Sequence, residues 1–347
     1  MNLRRLPDAV LVLMAAAAIL LVATLGLLVF LSGGTRGLRT SDIGAQSPAQ
    51  SRTAYDHLER FQALAEEHGD RAAGTPGYEA AAQYVEAQLA AAGYETTRHY
   101  FTVQTRHGQF ETFSVLAETA GGDEDNVIML GAHLDGVPGS PAINDNASGA
   151  AALLETARRL SDEPEPLAHT VRLAWWGAEE YRGYPGSSHY VEELEDEDET
   201  ETIAAYLNFD MVASPNHVIA LYDAHDTDTR LDVPDGSTGV MAVLTDYFDA
   251  RGEPWVTTGW DYESDQVAFA EADIPVGGLF TGSDERKSSR EARLFGGEAG
   301  QPRDPNYHRP GDDLGNVDPA TLELTTDAMF HAAATLGQDI TSLQDDD

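Results

Sequence analysis

Residues 127–160 read VIMLGAHLDGVPGSPAINDNASGAAALLETARRL, and this stretch decides the fold. It opens on four apolar residues, 127–130, too few for a helix and suited to a buried strand. It closes on residues 147–160, an alanine- and leucine-rich run that reads as a helix. Between the two lie His133, Asp135 and the cluster Asn144-Asp145-Asn146. A strand that passes through a polar loop into a helix is the unit from which α/β sheets are built.

The same alternation extends in both directions. Upstream, Tyr55, Leu58, Phe61 and Leu64 fall at helical spacing, and residues 80–92 give a second amphipathic helix. Strand-like runs stand at 100–103 and 113–116, then downstream at 171–176, 203–208, 218–221 and 275–279. Helices are expected at 240–250, 265–270 and 320–336. This order predicts an α/β fold whose sheet is covered on both faces. The run 192–201 holds nine acids or hydroxyls around Leu194 and reads as a solvated loop insertion.

The N-terminus breaks the pattern. A short tail, 1–8, precedes residues 9–32, which form an uncharged stretch rich in Leu, Val and Ala. A spanning helix needs about 20 apolar residues and a signal-peptide core only about 7–15, so length favours a retained membrane anchor. Arg4 and Arg5 place the N-terminus inside and the main domain outside, although Arg36 and Arg39 flank the other end. Cleavage of the segment as a signal, with secretion, is the alternative. Residues 33–50 read as a flexible tether and 51–347 as the folded domain.

Composition narrows the chemistry. The 347 residues carry 59 acidic and 21 basic side chains, a formal charge of −38, which argues against nucleic-acid binding. A hydrophobic content of 42% is enough for a substantial core. There is no cysteine, which excludes disulfides, cysteine-ligated zinc and thiol catalysis. Lys287 is the only lysine. An acidic, lysine-poor chain is expected to be halophilic, built to stay hydrated in concentrated salt.

Open α/β sheets place their sites at the carboxyl ends of strands. Those positions hold His133 and Asp135, then Asp145, then Glu179-Glu180 and Asp210, with Tyr307-His308 near the end. Each alone is weak, since an Asp after a strand is usually a helix cap. Together, two histidines and three carboxylates suit a pair of zinc or similar ions with one carboxylate free to bridge. Asp135, two residues past His133, suits an acid that orients the imidazole. Of the pair Glu179-Glu180, one carboxylate can bind metal while its neighbour takes a proton from water. Trp175 and Trp176 read as core and His189 as packing. The sequon Asn146-Ala147-Ser148 lies inside the metal loop, too enclosed to modify. HExxH and GxSxG motifs are missing, so single-zinc proteases and serine hydrolases fall away.

The segments GAHLDG, INDNASGAAALLE, WWGAEEYRGYPGSSHYV, LNFDMVASPN, ESDQVAFAEADIPVGGLFTG and DPNYHRPGDD occur in this order. Together they resemble the M28 family of co-catalytic zinc peptidases, most of all the secreted aminopeptidases of the Streptomyces type. The resemblance implies a three-layer α/β/α fold with a mixed, mostly parallel sheet of the zinc exopeptidase type. It implies two Zn²⁺ ions, with His133 and Asp210 on one, Glu180 and His308 on the other, and Asp145 bridging. Glu179 would be the general base acting on water between the metals, Tyr307 would steady the tetrahedral intermediate, and Asp135 and Asp265 would stand behind the ligands. Relatives carry cysteines where this chain has Asn306 and Gly311, often Arg where it has Glu263, and His where it has Gln266. The implied activity is removal of N-terminal residues from peptides whose free amine meets an acidic pocket including Glu179 and Asp210. Carboxypeptidase or glutaminyl-cyclase activity on the same fold, or a membrane-anchored binding module, are the alternatives.

Overall fold

A computed structural model describes residues 53–226, 231–259 and 264–344. The expected tail, membrane segment and tether (1–50) lie outside the described residues, as does Glu263. Among the described residues, no helix is long and apolar enough to cross a membrane.

Helix α1 (Ala54–His68) starts at a capping box: Thr53 Oγ1 accepts from the Asp56 amide, and the Asp56 carboxylate accepts from the Thr53 amide. Helix α2 (Pro76–Ala91) starts on Thr75 with proline in its first turn. Strands β1 (Thr96–Thr105) and β2 (Gly108–Glu118) form a hairpin. Then follow β3 (Asp123–His133), α3 (Ser148–Ser161), β4 (His169–Trp176), α4 (Pro185–Asp196), β5 (Ile203–Asp210) and β6 (Ala220–Tyr222). The chain continues through α5 (Ser237–Arg251), β7 (Val256–Thr258), α6 (Gln266–Glu271), β8 (Val276–Phe280), α7 (Ser289–Phe295) and α8 (Pro319–Gln338).

The strands form one sheet in the order β1-β2-β4-β3-β5-β8-β6-β7. Strands β4, β3, β5 and β8 run parallel through its centre. Antiparallel pairings attach β2 to β1 and β4, and β6 to β8, while β6 and β7 are parallel. The sheet is therefore mixed with a parallel heart, as expected.

Both faces are buried, and the period of two sorts the side chains between them. Ile128 and Leu130, Leu173 and Trp175, and Leu207 and Phe209 pack with α1, α2, α3, α5 and α8. Their neighbours Val127, Met129, Ala174, Trp176 and Tyr206 point the other way, against Tyr190, Val191 and Leu194 of α4 and Phe269 of α6. Trp175 and Trp176 are both core, as expected. The acidic run is a correction: α4 carries it to Asp196, because Leu194 is buried on the sheet and anchors a turn otherwise written for solvent. Short β7 and α7 were not expected, having too few residues to show a period.

Because the central strands are parallel, the carboxyl ends of β3, β4 and β5 share one edge of the sheet. His133 is the last residue of β3 and Asp210 of β5; Glu179 follows β4 by three residues.

Candidate metal centre

At that edge the expected residues converge. His133 Nε2 lies 3.3 Å from Asp145 Oδ1, 3.4 Å from Asp210 Oδ1 and 3.9 Å from Glu179 Oε2. His308 Nε2 lies 3.0 Å from Asp145 Oδ2 and 3.1 Å from Glu180 Oε2. The two oxygens of Asp145 thus face two different histidines. Tyr307 stacks on His308 with ring centroids 3.8 Å apart.

The backbone presents these groups under constraint. Ala178 (φ 63°), Met211 (φ 49°) and His308 (φ 55°) adopt the left-handed region that non-glycine residues avoid. They adjoin Glu179, follow Asp210 and carry a donor themselves, the placement typical of strained functional loops. Asp145 sits on an irregular turn, Ile143–Ala147, just before α3. Asp312 accepts the amides of Asn144 and Asp145 at 2.8 and 3.0 Å. Asn146 is fully buried, donating to Phe209 O at 2.9 Å and accepting from the Met211 amide at 3.1 Å, so the sequon is structural. Arg71, also fully buried, donates to Leu134 O and Ala142 O in the segment that leads from His133 into the turn.

Asp135 plays a broader part than expected. His133 Nδ1 is 3.1 Å from its backbone carbonyl and 3.7 Å from its carboxylate, whose Oδ1 accepts the Glu179 amide at 3.1 Å. It therefore positions both the imidazole and the neighbouring acid. Asp265 is buried, and burial pushes its carboxyl up to about 7. Asp210 accepts a hydrogen bond from the Ser264 hydroxyl at 2.9 Å. Behind it runs a relay: Trp176 Nε1 donates to Tyr206 Oη, which donates to Asn208 Oδ1, and Asn208 Nδ2 donates to Ser264 Oγ. Gly131 is required for this relay, since a Cβ there would fall 2.2 Å from Tyr206 Oη. Sequence reading missed the relay; its one signal is the shared parity of Tyr206 and Asn208 on β5.

The electrostatics call for cations. Burial raises the proton affinity of Glu179, and burial followed by the Asp145 charge pushes Glu180 up to about 7. Burial opposes charge on Asp145 too, yet hydrogen bonds from His133 and His308 hold it well below the carboxylate range. Burial disfavours the charged imidazoles, but their acidic neighbours outweigh it and push His308 up to about 10. Glu180 Oε1 and Asp210 Oδ1 are buried without a hydrogen-bond partner among the described residues. Carboxylates crowded out of water around two imidazoles are costly unless positive charge compensates them. Imidazole and carboxylate donors are those divalent transition ions take.

The centre opens into a cavity of about 890 Å³. Tyr222, Met211, Val267 and Phe280 give it an apolar wall, and Arg182 lies at its edge. Arg303 is withdrawn by Glu291 at 2.7 Å. Near the end of the centre, Asn306 leans over Gly311: a Cβ on Gly311 would sit 2.4 Å from Asn306 Oδ1. Asn306 Nδ2 donates to Asn316 Oδ1 at 2.8 Å, and hydrogen bonds hold the His308 loop.

The chain is 43% identical over 223 residues to leucine aminopeptidase 2 of Trichophyton rubrum, an alignment covering 64% of this chain and 44% of the fungal protein. It is 39% identical over 284 residues to leupeptin-inactivating enzyme 1 of Streptomyces exfoliatus, covering 81% of this chain and 60% of that one. It thus spans only about half the length of these curated relatives. The fold matches that of BSAP, a zinc aminopeptidase from Bacillus subtilis, with a TM-score of 0.66 at 16% identity over 83% of this chain and 96% of that one. The model of Peptidase family M28 matches residues 114–333, from β2 into α8 and across every residue of the centre; the chain belongs to that family.

Proposed function

We propose that this chain is a zinc-dependent aminopeptidase, and that its centre takes two ions. The observation that carries this reading is the Asp145 carboxylate, one oxygen facing His133 at 3.3 Å and the other His308 at 3.0 Å. His133 and Asp210 would hold one ion, Glu180 and His308 the other, with Asp145 between. Bound there, zinc polarises a scissile carbonyl and lowers the pKa of water towards neutrality.

The rest falls to the chain's own side chains. Glu179, desolvated and beside the ligands, accepts the proton of the attacking water and delivers it to the leaving amine. The Tyr307 hydroxyl, kept protonated by burial, donates to the oxyanion of the tetrahedral intermediate. Glu179 and Asp210 attract the substrate's terminal ammonium, while the Tyr222–Phe280 wall receives its first side chain. We propose further that residues 9–32 anchor the chain in a membrane and 33–50 tether an extracellular domain, in a halophilic setting.

Hydrolysis of aminoacyl and C-terminal chromogenic substrates, with and without chelator, tests the reading. Chelator-sensitive cleavage of free-amine peptides, abolished by acetylation of the amine and tolerant of C-terminal amidation, is expected. Equal cleavage of acetylated peptides would sink the aminopeptidase assignment, and cyclisation of N-terminal glutamine without peptide hydrolysis would replace it.

A further inference from the structure

Away from this centre, a second set of metal-donor side chains lies among the described residues: His99 on β1, with His189 and Glu193 on α4. One donor atom from each lies within 4.8 Å of the others. His99 Nε2 is 2.6 Å from Glu193 Oε2, and His189 Nε2 is 3.5 Å from Glu193 Oε1. The imidazole centroids are 5.1 Å apart.

The fold builds this grouping from two elements. His189 and Glu193 are four residues apart on α4 and so share one face. His99 comes from β1, the edge strand over which α4 lies. Both rings are held by neighbours: His99 meets Tyr190 edge-on at 5.7 Å, and His189 meets Phe101 at 6.2 Å. The His99 side chain is 14% exposed and that of His189 35%, withdrawn yet open to solvent.

We propose that His99, His189 and Glu193 bind a divalent transition cation that fastens α4 to the edge strand β1. Two imidazoles and one carboxylate are a donor set for zinc, nickel or copper(II). Zinc–nitrogen bonds of about 2.0–2.1 Å set tetrahedral donors about 3.4 Å apart, so side-chain rotation suffices to close this set. The site does not depend on the peptidase reading. It bears on it, because Ser188, next to His189, borders the central cavity. A bound ion would brace that wall.

The test uses the full chain, loaded either with zinc or with copper(II), with His189→Gln on the helix, His99→Asn on the strand and exposed His107→Gln as control. In the proposed central assignment each ion has one imidazole, so a copper resonance split by two nitrogens belongs to the new site. Wild type should show it, His107→Gln should keep it, and both site variants should lose it together with one zinc ion per chain. Zinc content equal to wild type in both site variants, or a copper spectrum neither alters, overturns the site. Failure of the peptidase reading would instead appear as absent chelator-sensitive hydrolysis, with the two-nitrogen signal intact.

Discussion

Ser264 donates its hydroxyl to Asp210 Oδ2 at 2.9 Å while its own Oγ accepts from the Asn208 side-chain amide at 3.1 Å, which turns the hydroxyl proton towards Asp210. A donor supporting a ligating carboxylate typically contributes about 10–100-fold in metal affinity. Ser264→Ala should weaken zinc by that factor with the fold intact, read by competition with a chromogenic chelator. Unchanged affinity would mean that Asp210 holds its place without the relay from Trp176.

The adjacent acids should fail differently. Glu179→Gln removes the proton acceptor and should lower turnover by about 10²–10⁴-fold while metal content stays constant. Glu180→Gln removes a donor 3.1 Å from His308 and should lose affinity for one ion. Equal metal loss in both variants would mean that the two roles are wrongly divided.

Asn306 and Gly311 approach closely enough to be joined. An ideal Cβ on Gly311 lies 2.9 Å from Asn306 Cγ, the place a sulfur on residue 306 would take. The double variant Asn306→Cys with Gly311→Cys should oxidise to a disulfide. Closing so short a loop should make the oxidised form about 2 kcal/mol more stable than its own reduced form. Calorimetry with and without reductant reads the difference, and free thiols by mass spectrometry after air oxidation would contradict the geometry.

Salt should stabilise the folded chain. A net charge of −38 repels itself in dilute buffer, and raising salt from 0.1 M to 1 M shortens the Debye length from about 10 Å to about 3 Å. The melting temperature should climb between 0.1 M and 2 M potassium chloride. A flat response removes the halophile reading.

His57 should make stability fall in mild acid. It is buried against Tyr84 Oη at 2.7 Å, and burial lowers its pKa from 6.5 to about 4, with Asp56 opposing and Arg158 assisting. Between those values the unfolded chain binds the extra proton, so stability is full above 6.5 and is lost as pH drops towards 4. The loss amounts to about 3 kcal/mol. Denaturant titrations across that range should be less pH-dependent for His57→Gln than for wild type, and identical slopes would exclude His57 as the cause.

Much of the centre was legible because strand ends are legible. His133, Glu180 and Asp210 end or closely follow runs of apolar residues too short for a helix, and parallel strands bring such ends to one edge, whereas Asp145 and His308 come from loops. The central strands were legible as short apolar runs and the long helices by their period, while the two strands of the hairpin were legible only as separate runs. The last turn of α4 was not legible, because the charges of residues 192–201 masked the one residue, Leu194, that the sheet needed. The closeness of Asp135 to His133 was legible from their spacing, but the hold of Asp135 on the Glu179 amide depends on where β4 ends, which no local pattern records.

The sequence by itself determined which residues could bind metal and on which edge of the sheet they would stand, since donor chemistry and strand period are local properties. Only the tertiary structure decided that Ser264 supports Asp210, that Asn306 covers Gly311, and that His99 reaches His189 and Glu193. Ser264 and Asp210, and His99 and helix α4, lie far apart in the chain, while Asn306 meets Gly311 only through the path of the loop between them; a hydrogen bond or shared cation forms only when packing brings the donor within about 3 Å.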